Sequence, residues 1–118
     1  MTVVKENAYP LVERLYMGDK VAVIISPDFG GGWSTEYPLI LHEFLCMDSV
    51  LVKALLAKNR ELVNSIAEGC LKGWGEHFHS HNSPLELRWV KRGTLFQITN
   101  YDGAETLTTL SEMEFLQA

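Results

Sequence analysis

Three imidazoles at alternate positions, His77, His79 and His81, are the densest set of metal-capable side chains in the sequence. In an extended chain the side chains alternate between faces, so these rings share one side about 7 Å apart and can converge on a metal with modest bending. The surrounding composition, Gly, His, Asn and Ser between Leu71 and Pro84, fits an exposed polar loop without a ligand as well. A second candidate is the turn Ser26-Pro27-Asp28-Phe29-Gly30-Gly31-Gly32-Trp33-Ser34-Thr35, which follows an apolar run, a place where backbone amides can meet a phosphate or carboxylate. Here Gly30, Gly31 and Gly32 offer amides, Trp33 a stacking face, and Ser34 and Thr35 hydroxyls. The turn fits neither the dinucleotide nor the Walker pattern. A tight structural loop with Trp33 on the core explains it equally well, although ordering three glycines costs unusual backbone entropy. In the turns Lys91-Arg92-Gly93 and Tyr101-Asp102-Gly103, Arg92 can clamp a phosphate with two hydrogen bonds, and Tyr101 or Trp89 can stack on a base. Solvated hairpin tips are the alternative. For nucleophilic catalysis the chain offers His42 and Cys46, one helical turn apart, but they sit among Leu39, Ile40, Leu41, Phe44 and Leu45, where a cysteine is packing.

The elements that must position these residues follow from hydrophobic spacing. Val21-Ala22-Val23-Ile24-Ile25 reads as a buried strand at the sheet centre, stopped by Ser26-Pro27-Asp28. The segment from 11 to 17 turns back into it through Gly18-Asp19 as a hairpin, with a short helix as the alternative. Leu51 with Leu55 and Val52 with Leu56 predict a helix from about 48 to 58 capped by Asp48 or Ser49, and Leu62, Val63, Ile66 and Ala67 predict a second that ends at Gly69. The alternating runs 85–90, 94–101 and 105–110 predict a β-meander. The order argues for an α+β fold, an antiparallel sheet of four to five strands packed against a helical hairpin, as a single domain over residues 1–118.

The 118 residues, 47% hydrophobic and 21% charged, suit one globular domain and argue against disorder or a two-domain enzyme. A net charge of -5 has the wrong sign for a protein that neutralises duplex phosphates, so duplex nucleic acid is not an expected partner. A few amides and one or two arginines can still hold a small anion. Cys46 and Cys70 are neither a C-x-x-C pair nor a disulfide framework, which points to a reducing, cytoplasmic compartment. No stretch has the length of a membrane span, and MTVVKENAYP lacks the features of a secretory leader.

Two resemblances carry functional implications. Gly73, five residues, His79-x-His81, four residues, Glu86, six residues, Gly93 resembles the first cupin motif, which implies a divalent transition metal on His79, His81 and Glu86. The second cupin histidine motif is missing, since no histidine follows His81. Asp28-Phe29-Gly30-Gly31-Gly32-Trp33-Ser34-Thr35, together with Trp89-Val90-x-x-Gly93-Thr94-x-Phe96-x-Ile98-x-x-Tyr101-Asp102-Gly103-x-Glu105, resembles small bacteriophage and prophage proteins; Gln97 stands where these often carry Arg. The resemblance extends in size to the Thoeris anti-defence sponges, and implies a homo-oligomer in the host cytoplasm that sequesters a nucleotide-type signal. The expectation is therefore a binding module without a cofactor that holds a small anionic ligand through Gly30, Gly31, Gly32, Trp33, Ser34, Thr35, Arg92 and Tyr101. The alternatives are a cupin-like metal enzyme and an inhibitor that binds a host protein.

Overall fold

A computed structural model describes residues 12–110. The leader-region reading of MTVVKENAYP, and the outer ends of the predicted domain, lie outside these residues. Among them no helix is long and apolar enough to cross a membrane.

The β-branched run forms the centre of the molecule, as its composition predicts. Strand β1 (Tyr16–Met17) turns through Gly18 into β2 (Lys20–Ile25), and β3 (Glu86–Lys91) pairs antiparallel on the other side, so β2 lies in the middle. Every residue of β2 except Lys20 is buried. A strand buried on both faces needs two covering layers, and its two side-chain sets supply one core each. Ala22 and Ile24 face the helices, while Val21, Val23 and Ile25 face Phe96, Ile98 and Leu107.

The helical layer consists of α1 (His42–Met47), α2 (Ser49–Leu56) and α3 (Arg60–Gly73), preceded by two short 3-10 turns at Ser34–Glu36 and Leu39–Leu41. Asp48 caps α2 as expected, its carboxylate accepting from the amides of Val50 and Leu51 at 3.1 and 3.2 Å; Asn59, for which no cap was expected, caps α3, its Oδ1 accepting from Leu62 N at 3.1 Å. Helix α3 runs one turn beyond the predicted end at Gly69. Leu71 continues the stripe of Val63 and Ala67 at intervals of four and is fully buried, and this packing outweighs the helix-weakening effect of a glycine in the last turns.

The strands are antiparallel throughout, but they divide into a three-stranded and a two-stranded sheet. The expected meander from β3 into β4 (Phe96–Tyr101) does not form; β3 pairs with β2, and β4 pairs with β5 (Ala104–Thr109). The reason lies at the turn. Arg92 N donates to Asp19 O at 2.6 Å, holding the end of β3 against the β1–β2 turn, and the chain then leaves the sheet. The β4–β5 hairpin itself follows the sequence signal: Asp102 and Gly103 both have positive φ, 51° and 86°, as a type I′ turn requires.

The added turn of α3 predicts a large cost for truncating it. Leu71→Ala removes a buried side chain, with an expected loss of about 2–5 kcal/mol; a residue in an exposed loop would lose under about 0.5 kcal/mol. Urea unfolding followed by circular dichroism separates the two.

Candidate functional site

The glycine-rich turn is closed by the protein itself. Glu105, on β5, is 2% exposed, and its carboxylate projects into the turn. Oε1 accepts from Ser26 N at 2.9 Å, and Oε2 accepts from Trp33 N and Thr35 N, both at 3.0 Å, and from the Thr35 hydroxyl. The three glycine amides are also taken. Gly30 N donates to Asp102 O at 2.8 Å, Gly31 N to Asp28 O at 3.1 Å, and Gly32 N to Ser26 Oγ at 3.1 Å. Trp33 is wholly interior, its indole N–H donating to Leu45 O at 2.6 Å and its ring meeting Phe78 edge to face. Thus Gly30, Gly31, Gly32, Trp33 and Thr35, expected to face an outside ligand, have spent their donors and their stacking face on the fold. Ser34 Oγ is buried and is the sole buried side-chain polar atom without a partner among the described residues.

The glycines are there for close approach. A Cβ on Gly103 would lie 2.8 Å from Gly31 N and 2.9 Å from Gly30 N, and a Cβ on Gly32, at φ 108°, would meet Glu36 at 2.5 Å. The hairpin tip thus rests on the turn backbone to backbone. Phe29 and Tyr101 flank this junction in edge-to-face contact at 6.1 Å, each more than two thirds exposed.

The histidine segment keeps the alternation of an extended chain: Phe78 and Ser80 are buried, while His77, His79 and His81 are exposed. The rings nevertheless part company. His79 lies on the Tyr37 ring at 4.8 Å, and His81 lies on Phe78 at 4.4 Å with Nε2 4.0 Å from Glu68. Glu86 is on β3, paired with Arg88 at 2.8 Å. His79, His81 and Glu86 therefore do not assemble as a cupin-like ligand set, and no group of three His, Cys, Asp or Glu suited to a metal occurs among the described residues. The segment is pinned as a structural strap. Arg60 donates to the carbonyls of Ser80 and Ser83, Asn64 to that of His81, and the Tyr37 hydroxyl accepts from His79 N at 3.0 Å.

Arg92 stands apart from the glycine turn. It follows the end of β3 opposite Asp19, whereas the turn follows Ile25 at the far end of β2, about 17 Å along the strand. The structure brings Tyr101 to the turn but not Arg92. Instead Arg92 lies with its guanidinium carbon 5.0 Å from the centre of the Tyr16 ring, at the mouth of a cleft of about 420 Å³. The cleft opens on the hairpin face of the central sheet. Its floor is apolar, formed by Val21, Met47, Val90 and Phe96, and its rim carries Arg14, Lys91 and Arg92. Arg14 is ion-paired with Glu43, leaving Lys91 and Arg92 as the rim cations without a carboxylate partner among the described residues. Lys91 and Arg92 were visible as a basic turn; Arg14 and Tyr16 carried no signal, because their proximity depends on the β1–β2–β3 pairing.

Comparison with known proteins yields no match to a family model, to a curated protein or to a solved structure. The geometry alone therefore ranks the sites, and it favours the cationic cleft.

The His42 and Cys46 pair has no nucleophilic geometry. His42 Nε2 donates to Tyr37 O at 2.8 Å, and burial, with Glu105 and Glu43 nearby, pushes the Cys46 thiol up to about 12. The thiolate is the reactive form, so at pH 8 native protein should label at the half-buried Cys70 first, with Cys46 reacting only on unfolding. Mass spectrometry after iodoacetamide treatment checks this order. The Glu105 contacts predict that Glu105→Ala, which strands three buried or half-buried amides, costs at least about 3 kcal/mol, with Glu105→Gln intermediate because it retains one acceptor. Urea melts of the three proteins measure it.

Proposed function

We propose that this protein is a binding module that holds a small anionic ligand, of nucleotide type, in the cleft between the central sheet and the start of β4. The observation that carries this reading is the pairing of an apolar floor with a cationic rim, Lys91 and Arg92 beside Tyr16, in a chain whose net charge is -5. A volume of about 420 Å³ lies in the range of small-molecule sites. An anion on the rim gains charge-assisted hydrogen bonds from Arg92, and a flat apolar body gains contact with Phe96, Val90 and Met47 below it. Holding a ligand in this arrangement needs no catalytic group.

The resemblance of the two sequence signatures to phage and prophage proteins supports a nucleotide-type host signal as the ligand class. A protein that only holds such a signal acts by mass action, lowering its free concentration in proportion to the number of sites. A second reading, contact with a host protein, is favoured by the exposed Phe29 and Tyr101 pair at the hairpin tip.

Calorimetric titration with a nucleoside monophosphate, the uncharged nucleoside and inorganic phosphate tests the assignment. The monophosphate should bind best, and more weakly as salt is raised. Arg92→Ala should weaken it roughly tenfold or more, the value of one charge-assisted contact. The control Phe29→Ser, Tyr101→Ser should leave the affinity unchanged. Equal affinity in wild type and Arg92→Ala, or no heat with any of the three, overturns the site.

A further inference from the structure

The outer edge of the central sheet has a defined polarity. Ala22 N donates to Leu15 O at 3.1 Å, so the even residues of β2 bond toward β1, and Val21, Val23 and Ile25 bond toward β3. Their register partners there are Val90, Arg88 and Glu86, and Arg92 N, donating to Asp19 O, continues the set. Backbone groups alternate sides along a strand. The N–H and C=O groups of Leu87, Trp89 and Lys91 consequently point to the open edge, where no backbone partner meets them among the described residues; a long 3.4 Å contact from the Arg88 guanidinium reaches Leu87 O. The edge carries no proline and its pairing with β2 runs unbroken from Glu86 to Lys91, so two common devices that block edge-to-edge association are missing. Grooves flank the strand on both faces, one of about 500 Å³ lined by Leu55, Leu56, Leu85 and Leu87, the other of about 480 Å³ lined by Arg88, Val90 and Leu107.

We propose that β3 pairs antiparallel with β3 of a second copy of this chain, about a twofold axis through Trp89, joining two central sheets into one. Antiparallel pairing opposes residues of like hydrogen-bonding parity, so the twofold axis must pass through a residue of the strand and not between two. Centred on Trp89, the register sets Glu86 opposite Arg92 of the partner subunit, twice by symmetry, with Leu87 opposite the partner's Lys91. Centred on Arg88, it sets Arg88 against the partner's Arg88; centred on Val90, it sets Arg88 against the partner's Arg92. Centred on Leu87, it also opposes Glu86 and the partner's Arg88, but Leu85, Pro84 and Ser83 then face the partner's Trp89, the partner's Val90 and the partner's Lys91, so only residues 86–88 pair within the two strands, against residues 87–91 when centred on Trp89. Like charges directly opposed destabilise a ladder and opposite charges support it, so the Trp89 register is the one that combines the longer ladder with opposed charges of opposite sign.

Native mass spectrometry and sedimentation equilibrium of the full chain should show a species of twice 13.3 kDa. Amide exchange at Leu87, Trp89 and Lys91 should slow as protein concentration rises. Glu86→Arg should raise the dimer dissociation constant about tenfold or more, because both symmetric pairs turn from attraction to repulsion, and the swap E86R with R92E should restore it. Glu86 is exposed, so the variant is expected to fold, and far-ultraviolet circular dichroism verifies that it does. A wild type that stays at 13.3 kDa at high micromolar concentration overturns the proposal, as does an oligomer of any size that E86R leaves intact or that the double swap fails to rescue. All of these outcomes are read on ligand-free protein, so they stand whether or not the anion cleft, which shares Arg92, holds a ligand.

Discussion

A single carboxylate, that of Glu105, holds together parts of the chain that no sheet or helix joins. A buried carboxylate is tolerable only when its oxygens are filled with donors, and Glu105 finds three backbone amides and a hydroxyl there. Those donors come from Ser26 at the end of β2 and from Trp33 and Thr35 beyond the glycine turn. The acceptor comes from the hairpin, and Glu105 N returns a bond to Ser26 O at 2.7 Å. Without this clasp the turn would present a row of unsatisfied amides next to a buried indole. With it, Trp33 is delivered to the helical core and the hairpin is anchored to the opposite face of the sheet.

The clasp also explains why a ligand-cradle reading and a structural reading of Gly30, Gly31 and Gly32 were indistinguishable in sequence. Both need amides exposed by small residues beside an anionic group, and only the fold shows that the anion is a side chain seventy residues downstream. Nothing at Glu105 itself marks the pairing, since an acidic residue in an alternating run reads as the solvent-facing half of a strand. Arg60 is a similar case. It opens α3 like any helix-start residue, yet its guanidinium secures the histidine segment by two carbonyls.

Local signals were legible where they are self-contained. The β-branched run, the Asp48 cap, the helical stripes and the Asp102-Gly103 turn each specify their own geometry, and each appears as the sequence implies. Partner choice was not local. Nothing in Lys91-Arg92-Gly93 states that β3 belongs with β2, and the cleft around Arg92 and Tyr16 exists only as a result of that choice. The histidines illustrate the same limit: their alternation survives, but Tyr37, Phe78 and Glu68 draw the rings in different directions.

Helix α1 has six residues and would have little tendency to form alone, yet it serves both cores at once: Leu45 packs with the helical side and Cys46 and Met47 with the hairpin side. Two sheets with separate hydrophobic clusters can in principle melt in succession. A shared element this short cannot stay helical after losing either neighbour, so loss of one cluster removes the support of the other. The expected behaviour is a single all-or-none transition rather than a staged one, achieved by a strut too weak to survive by itself.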